Sequence, residues 1–354
     1  MNKVVTIVGA RPQFVKAAVV SRAFSEYRPD IEEVIVHTGQ HYDSNMSDIF
    51  FKELDIPQPH FHLGVGGGSH GQNTGRMIEK IEALLLSEKP EAILLYGDTD
   101  STLAGAIAAA KIQIPIAHIE AGLRSYNRRM PEEINRVLTD HLSSSLLTPT
   151  EQASANLLKE GIEAGKIKKV GDTMYDAAIY YSDLARKPQD QALGEIFNKG
   201  YALCTIHRAE NTDDTSRLVE ILNGLSSLPV PIILPLHPRT RGRIESNGIA
   251  LSGNIHVIPP VGYLEMVWLE QHSLLILTDS GGIQKEAYFH GKPCITLRDE
   301  TEWVELVETG TNILAGANAK KILASYELLK GKTPTTENIY GDGHAGREIV
   351  MGLS

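Results

Sequence analysis

The chain has 354 residues, of which 42% are hydrophobic and 22% charged, and a net charge of −10. That length exceeds one comfortable core and suits two domains, and the composition excludes disordered and fibrous classes. No lysine- or arginine-rich run offers a nucleic-acid surface, the longest apolar runs are too short for a bilayer, and "MNKVVTIVG" enters a strand without signal-peptide regions.

Short β-branched runs alternate with longer helical patterns from end to end. The first series of strands is expected at 4–9, 33–38, 92–97, 114–120, 146–150 and 167–171. A second series is expected at 201–207, 231–237, 255–260, 274–280 and 293–298, with helical stretches such as 101–112 between strands. Most of these runs are apolar throughout rather than alternating, as strands of a parallel sheet covered on both faces are. The expected fold class is therefore α/β, with doubly wound sheets in two domains. The polar stretch 182–200 separates the two series and sets domains at 1–175 and 176–354, with the last helix packing back on the N-terminal domain. Cys204 and Cys294 each lie in an apolar run and read as buried small hydrophobes of a reducing cytoplasm rather than as a disulfide.

Ligands of open parallel sheets bind beyond the carboxyl ends of the strands, so motifs that follow strands carry the candidate chemistry. "GARPQFVK" puts Gly9 in a tight turn, Pro12 in the first turn of a helix, and the cations Arg11 and Lys16 near its N-terminus. "YGDTDST" places Asp98 between a strand and a helix, where it either caps the helix or faces a ligand. "HIEAGLRSYNRRMPEEINR" carries Glu120 at a strand end, and Pro131 opens a helix holding Glu132 and Glu133 in its first turn. Only one of those two neighbours can face a cleft; Glu132 is the candidate, with Arg136 four positions on and within pairing reach. "CTIHRAEN" puts His207 beside Arg208 at a strand end. "TDSGGIQKEA" opens a helix on Ser280, Gly281 and Gly282, whose bare N–H groups suit a diphosphate, while Glu286 is placed to accept from a ribose diol. "GVGGGSHG" reads as a loop rather than a dinucleotide fingerprint. His60 and His62 lack partners at metal spacing, so no metal is expected.

Together these residues resemble the non-hydrolysing UDP-N-acetylglucosamine 2-epimerase family over essentially the whole chain. "GARPQFVK", "GQH" (39–41), "GDTDST", "HIEAGLRS", "MPEEINR", "IHRAEN", "TDSGGIQKEA", "LRDETEW" and the late "YGDG" (340–343) occur in family order. The resemblance implies two Rossmann-like domains, GT-B-like, with the active site in the interdomain cleft. It implies inversion of C2 without a cofactor, by elimination of UDP to a 2-acetamidoglycal and re-addition. Asp98, Glu120, Glu132 and His207 match the family's catalytic set. Arg11, Lys16, Asp98, Glu120, Arg136, His207, Ser280, Gly281, Gly282, Glu286 and Arg298 match its UDP-sugar contacts, and Val261 and Met266 stand where many members have glutamine and phenylalanine near the uracil. "TEWVE" (301–305) replaces the common "TERPE", putting Trp303 in place of an arginine. That spelling is similar to the branch acting on UDP-2,3-diacetamido-2,3-dideoxy-glucuronate, which makes the mannuronate epimer for O-antigen; UDP-N-acetylglucosamine is the alternative substrate. The resemblance further implies a homodimer whose ligand is a UDP-sugar, while the cysteines, the charge and the short apolar runs give the expectation of a cytoplasmic protein with neither nucleic acid nor membrane as partner. "GQHYDSNM" departs from the family's activator pattern at Tyr42 and Asp43. A GT-B glycosyltransferase, a hydrolysing epimerase and a non-catalytic UDP-sugar binder are the competing readings.

Overall fold

The structure is a computed structural model that describes residues 1–39, 57–189, 193–334 and 338–353. The "QHYDSNM" part of the activator motif lies outside the described residues. The chain divides into two units: 1–177 with the returning segment 338–353, and 178–337.

In the first unit, parallel strands β1 (Lys3–Val8), β2 (Glu32–His37), β3 (Phe61–His62), β4 (Ala92–Tyr96), β5 (Ile116–Ile119), β6 (Ser145–Thr148) and β7 (Ile167–Lys169) run in the order 3-2-1-4-5-6-7. The helices that position its chemistry are α1 (Arg11–Tyr27), α2 (His70–Glu88), α3 (Asp100–Lys111), α4 (Pro131–Leu142) and α5 (Glu151–Lys159). β1, β4 and β5 are buried almost throughout because helices cover both faces of the sheet. One core layer packs Val5, Ile7, Ile93 and Leu95 against Met77, Ile81 and the alanines of α3. Gly105 of α3 lets that helix lie close on the sheet, since a Cβ there would come within 2.7 Å of Leu95 Cδ2.

Helix α6 (Thr173–Ser182) carries the chain across the boundary between the units. The second unit has strands β8 (Ala202–Thr205), β9 (Ile232–Pro235), β10 (Ile255–Ile258), β11 (Leu275–Thr278), β12 (Cys294–Thr296) and β13 (Asn312–Leu314), ordered 10-9-8-11-12-13. Counted from β8 this is 3-2-1-4-5-6, the doubly wound order found again in the first unit. Every pairing in both sheets is parallel. Helices α7 (Ala209–Thr212), α8 (Tyr263–His272) and α9 (Gly281–Phe289) flank the strand ends that matter below.

Two strands escape the sequence pattern. β3 is two exposed residues at a sheet edge, and β13 is three residues long, so neither shows the continuous apolar run that marks the others. Residues 338–353 belong to the first unit, in line with the expectation that the last helix packs back there, so the second unit closes at 337. There α10 (Ala345–Met351) packs on α1: a Cβ at Gly346 would lie 2.8 Å from Val19 Cγ1. Asp176 accepts the first helical N–H groups, Ala345 N at 3.0 Å and Gly346 N at 2.8 Å. The late "YGDG" motif forms part of the same attachment, with Asp172 N donating to Tyr340 O at 2.9 Å. Among the described residues no helix is long and apolar enough to cross a membrane.

Candidate active site

In the first unit the switch in strand order falls between β1 and β4, and the singled-out residues gather beyond the carboxyl ends of β1, β4 and β5. Gly9 ends β1 under close packing. A Cβ there would lie 2.1 Å from Ser101 Oγ and 2.2 Å from Thr38 Oγ1, so only glycine fits. The turn is fastened by Gln13, a residue missed in the sequence reading. Its Oε1 accepts from Gly9 N (2.8 Å) and Ala10 N (3.0 Å), while its Nε2 donates to Tyr96 O (2.8 Å) and approaches Thr99 and Thr102. The β1–α1 and β4–α3 turns are thereby joined through one buried amide. The backbone of Arg11 opens α1, and Lys16 lies on that helix, buried and ion-paired with Glu120.

Asp98 is not the cap of α3. Thr99 takes that role, accepting from Thr102 N, and the Asp98 carboxylate is left to pair with Arg136. Arg136 also donates from Nη1 to Glu133 at 2.9 Å, so its helix partner is Glu133 rather than Glu132. The reason is that Glu133 points inward, where its carboxylate accepts from Ser125 N (2.9 Å), Ser125 Oγ (3.0 Å) and Tyr126 N (2.9 Å) and ties the loop before α4 to the helix. Glu132 is exposed on the first turn of α4. Glu120, half-buried past the end of β5, sits at φ +68°, a left-handed conformation that costs a residue with a side chain. Gly97 beside it has φ +61°, and a Cβ there would lie 3.2 Å from Glu120 Oε2 and 3.5 Å from Lys16 Nζ.

In the second unit the equivalent switch lies between β8 and β11, and it brings "IHRAEN" and "TDSGG" together. The organiser is Asp279, fully buried and also missed in the sequence reading. Its carboxylate accepts from His207 N, Arg208 N and Asn211 Nδ2, each at 3.1 Å, and lies 3.1 Å from His207 Nδ1. Burial works to raise its pKa, but the hydrogen bond and charge of His207, with Asn211 and the Arg208 N–H, bring the net value below the ordinary carboxylate range. His207 is held from beneath while its side chain stays 57% exposed, open to a ligand. Ser280 caps α9, accepting from Ile283 N. Gly281 makes room for a carboxylate: a Cβ would lie 2.5 Å from Glu302 Oε1 and would push that side chain aside.

Glu302 is held by Arg298, whose Nη1 donates to it at 2.9 Å; Arg298 is buried and supports the glycine turn through that acid. Trp303 is buried beside the same turn, with the Lys285 ammonium 4.1 Å from its ring centroid. Glu286 is buried and accepts from Tyr263 Oη at 3.3 Å. Glu270 and His290 stand 3.5 Å apart; burial first, then the Glu286 charge, pushes Glu270 well up, and burial brings His290 down to about 4. Met266 and Val261 are partly buried against the same core.

Two sheets of one winding order, one bearing acids paired with cations at its strand ends and the other a glycine-opened helix with a histidine beside it, define a GT-B-like α/β protein. Comparison with known proteins makes the class specific. The family model "UDP-N-acetylglucosamine 2-epimerase" matches residues 24–354. A UDP-2,3-diacetamido-2,3-dideoxy-D-glucuronate 2-epimerase of Pseudomonas aeruginosa is 55% identical, covering 99% of each chain, and a UDP-N-acetylglucosamine 2-epimerase of Methanocaldococcus jannaschii is 45% identical over 99% of each. The crystal structure of the M. jannaschii enzyme in complex with UDP-GlcNAc and UDP has a TM-score of 0.89 at 45% identity, with 99% of both chains covered. The UDP-GlcNAc-bound Neisseria meningitidis enzyme has a TM-score of 0.86 at 34% identity over 99% of each chain. The chain belongs to the UDP-N-acetylglucosamine 2-epimerase family.

Proposed function

We propose that this chain is a non-hydrolysing 2-epimerase of a UDP-linked 2-acetamido sugar, with UDP-2,3-diacetamido-2,3-dideoxy-glucuronate, converted to the mannuronate, as its substrate. The choice of sugar is supported by the 55% identity to the P. aeruginosa enzyme of that name and by the "TEWVE" spelling at 301–305. The observation that carries the reaction is the pair of acids at adjacent strand ends: Asp98 after β4 and Glu120 after β5, each ion-paired with a cation, Arg136 and Lys16.

The residue types fit the chemistry. A C2–H next to an acetal carbon is barely acidic and cannot be removed from the resting sugar. As the C1–O bond breaks, its electron pair leaves with UDP and the ring gains oxocarbenium character, which makes the C2 proton removable. A carboxylate takes that proton, the C1=C2 bond of the glycal forms, and return of a proton to the opposite face with re-addition of UDP gives the epimer. Asp98 and Glu120 carry the protons in this reading, and exposed Glu132 assists. Arg11, Lys16, His207 and the Ser280–Gly282 turn stabilise the departing diphosphate, Arg136 and Arg298 hold their acid partners in place, Glu286 takes the ribose and Met266 borders the base. The reaction is placed in the cytoplasm, in a homodimer, in keeping with two buried free cysteines and with the family.

Incubation with each UDP-sugar in deuterium oxide, followed by proton NMR at C1 and C2, tests the proposal. Epimer carrying deuterium at C2, with UDP not accumulating, is expected. Product without C2 deuterium excludes the proton-exchange route, and stoichiometric free UDP points instead to a hydrolysing enzyme. Faster turnover of UDP-N-acetylglucosamine than of the diacetamido uronate overturns the choice of sugar alone.

A further inference from the structure

His118 lies on β5, two residues before Glu120, and is fully buried. Its Nε2 is 2.7 Å from the Gly97 carbonyl oxygen and its Nδ1 is 2.7 Å from Asp140 Oδ1. Both contacts demand a donor. The Gly97 carbonyl can only accept. Asp140 Oδ2 accepts from Gly122 N at 3.2 Å and is ion-paired with the Arg124 guanidinium at 2.7 Å; against the pull of burial, His118 and Arg124 hold the group below the ordinary carboxylate range, as a carboxylate. A neutral imidazole has one N–H and leaves one of these two contacts unmade; an imidazolium makes both. The surrounding charges permit it. Arg124 is one cation facing two carboxylates, the buried Asp140 and the partly exposed Glu160, which it binds at 2.7 and 2.6 Å, and His141 lies 3.4 Å from Glu160.

What His118 holds is the turn that carries the acids. The Gly97 carbonyl belongs to the peptide that begins Asp98, and on its other side Gly97 N donates to Ile119 O at 3.0 Å. Residues 118 and 119 thus grip Gly97 from both ends immediately before the chain turns into the left-handed conformation of Glu120. We propose that His118 is a positioning residue, held as an imidazolium, which fixes the Gly97–Asp98 peptide against the end of β5 and so sets the distance between Asp98 and Glu120 for proton transfer. The inference rests on the reading of Asp98 and Glu120 as the proton carriers.

Long-range nitrogen NMR of the histidine rings in the unaltered protein tests the protonation directly and needs no variant to fold. Both His118 ring nitrogens carrying hydrogen is expected, and a singly protonated ring overturns the proposal. In kinetics, His118→Asn, which keeps one donor, is expected to lower kcat by about 100-fold, as displacement of catalytic groups does, with KM and UDP affinity held. A folded His118→Asn enzyme with undiminished kcat, beside an inactive Asp98→Asn, overturns the positioning role and leaves the acid assignment standing. Full activity of both Asp98→Asn and Glu120→Gln overturns the acid assignment itself.

Discussion

Glu120 occupies a backbone conformation that glycine would adopt more easily, and a side chain kept there at a cost points to use. Its neighbour Gly97 leaves room for the carboxylate where any Cβ would crowd it. On the proposed reading of Asp98 and Glu120 as proton carriers, removing that capacity while keeping the side chain's shape should act on turnover rather than on binding. Asp98→Asn and Glu120→Gln are each expected to reduce kcat by about 10²- to 10⁴-fold, the range of general acid–base assistance, with UDP affinity measured by calorimetry unchanged. At this scale the sequence was informative about which residues lie at strand ends, because continuous apolar runs locate those ends. It was uninformative about which of two neighbouring acids turns inward. Glu133 is buried because a loop eight residues upstream folds back to donate its N–H groups, and no spacing rule within one helix reports that.

At the scale of elements, the turns that carry the site are locked by side chains rather than by glycine alone. Gln13 stands three residues after Ala10, the position from which a glutamine reaches back to the start of its own helix, and that signal was present in "GARPQF". Its second half, the reach of Nε2 to Tyr96 and Thr99 across 83 and 86 residues, was not. Gln13→Leu would leave buried N–H groups of Gly9 and Ala10 unsatisfied and cut the tie between the two turns. A loss of about 2–4 kcal/mol in denaturant unfolding is expected, from two orphaned donors at roughly 1–3 kcal/mol each less the gain from apolar burial. An unchanged midpoint would mean that those donors find other acceptors. β3 and β13 went unread for a different reason: an edge strand of two or three residues depends on its neighbour for existence, not on its own pattern.

For the whole molecule, stability should vary with pH through groups of opposite sign. Asp279 and Asp140 have pKa values held below the ordinary 3.8, against the pull of burial, by His207 in one case and by His118 and Arg124 in the other. Their stabilisation is complete above that value and is lost as pH falls through the lower folded-state values. Asp176 runs the other way: burial raises it to about 6, so its contribution is present below 3.8 and is lost as pH rises through about 6. The difference in unfolding free energy between the unaltered protein and Asp176→Asn, followed by denaturant unfolding from pH 3 to 8, should move against the unaltered protein as pH rises across that window, by up to ~3 kcal/mol for a shift of about two pKa units. A flat difference would show that Asp176 titrates as it does in the unfolded chain.

The return of residues 338–353 to the first unit also bears on how the polypeptide is made. On the ribosome, the strands of that unit emerge well before the helix that covers Val19 and Ala23 of α1. The nascent first half therefore waits, with that apolar patch bare, through translation of some 160 intervening residues of the second unit. A gene rearranged so that the closing helix is encoded directly after residue 177 would end that delay.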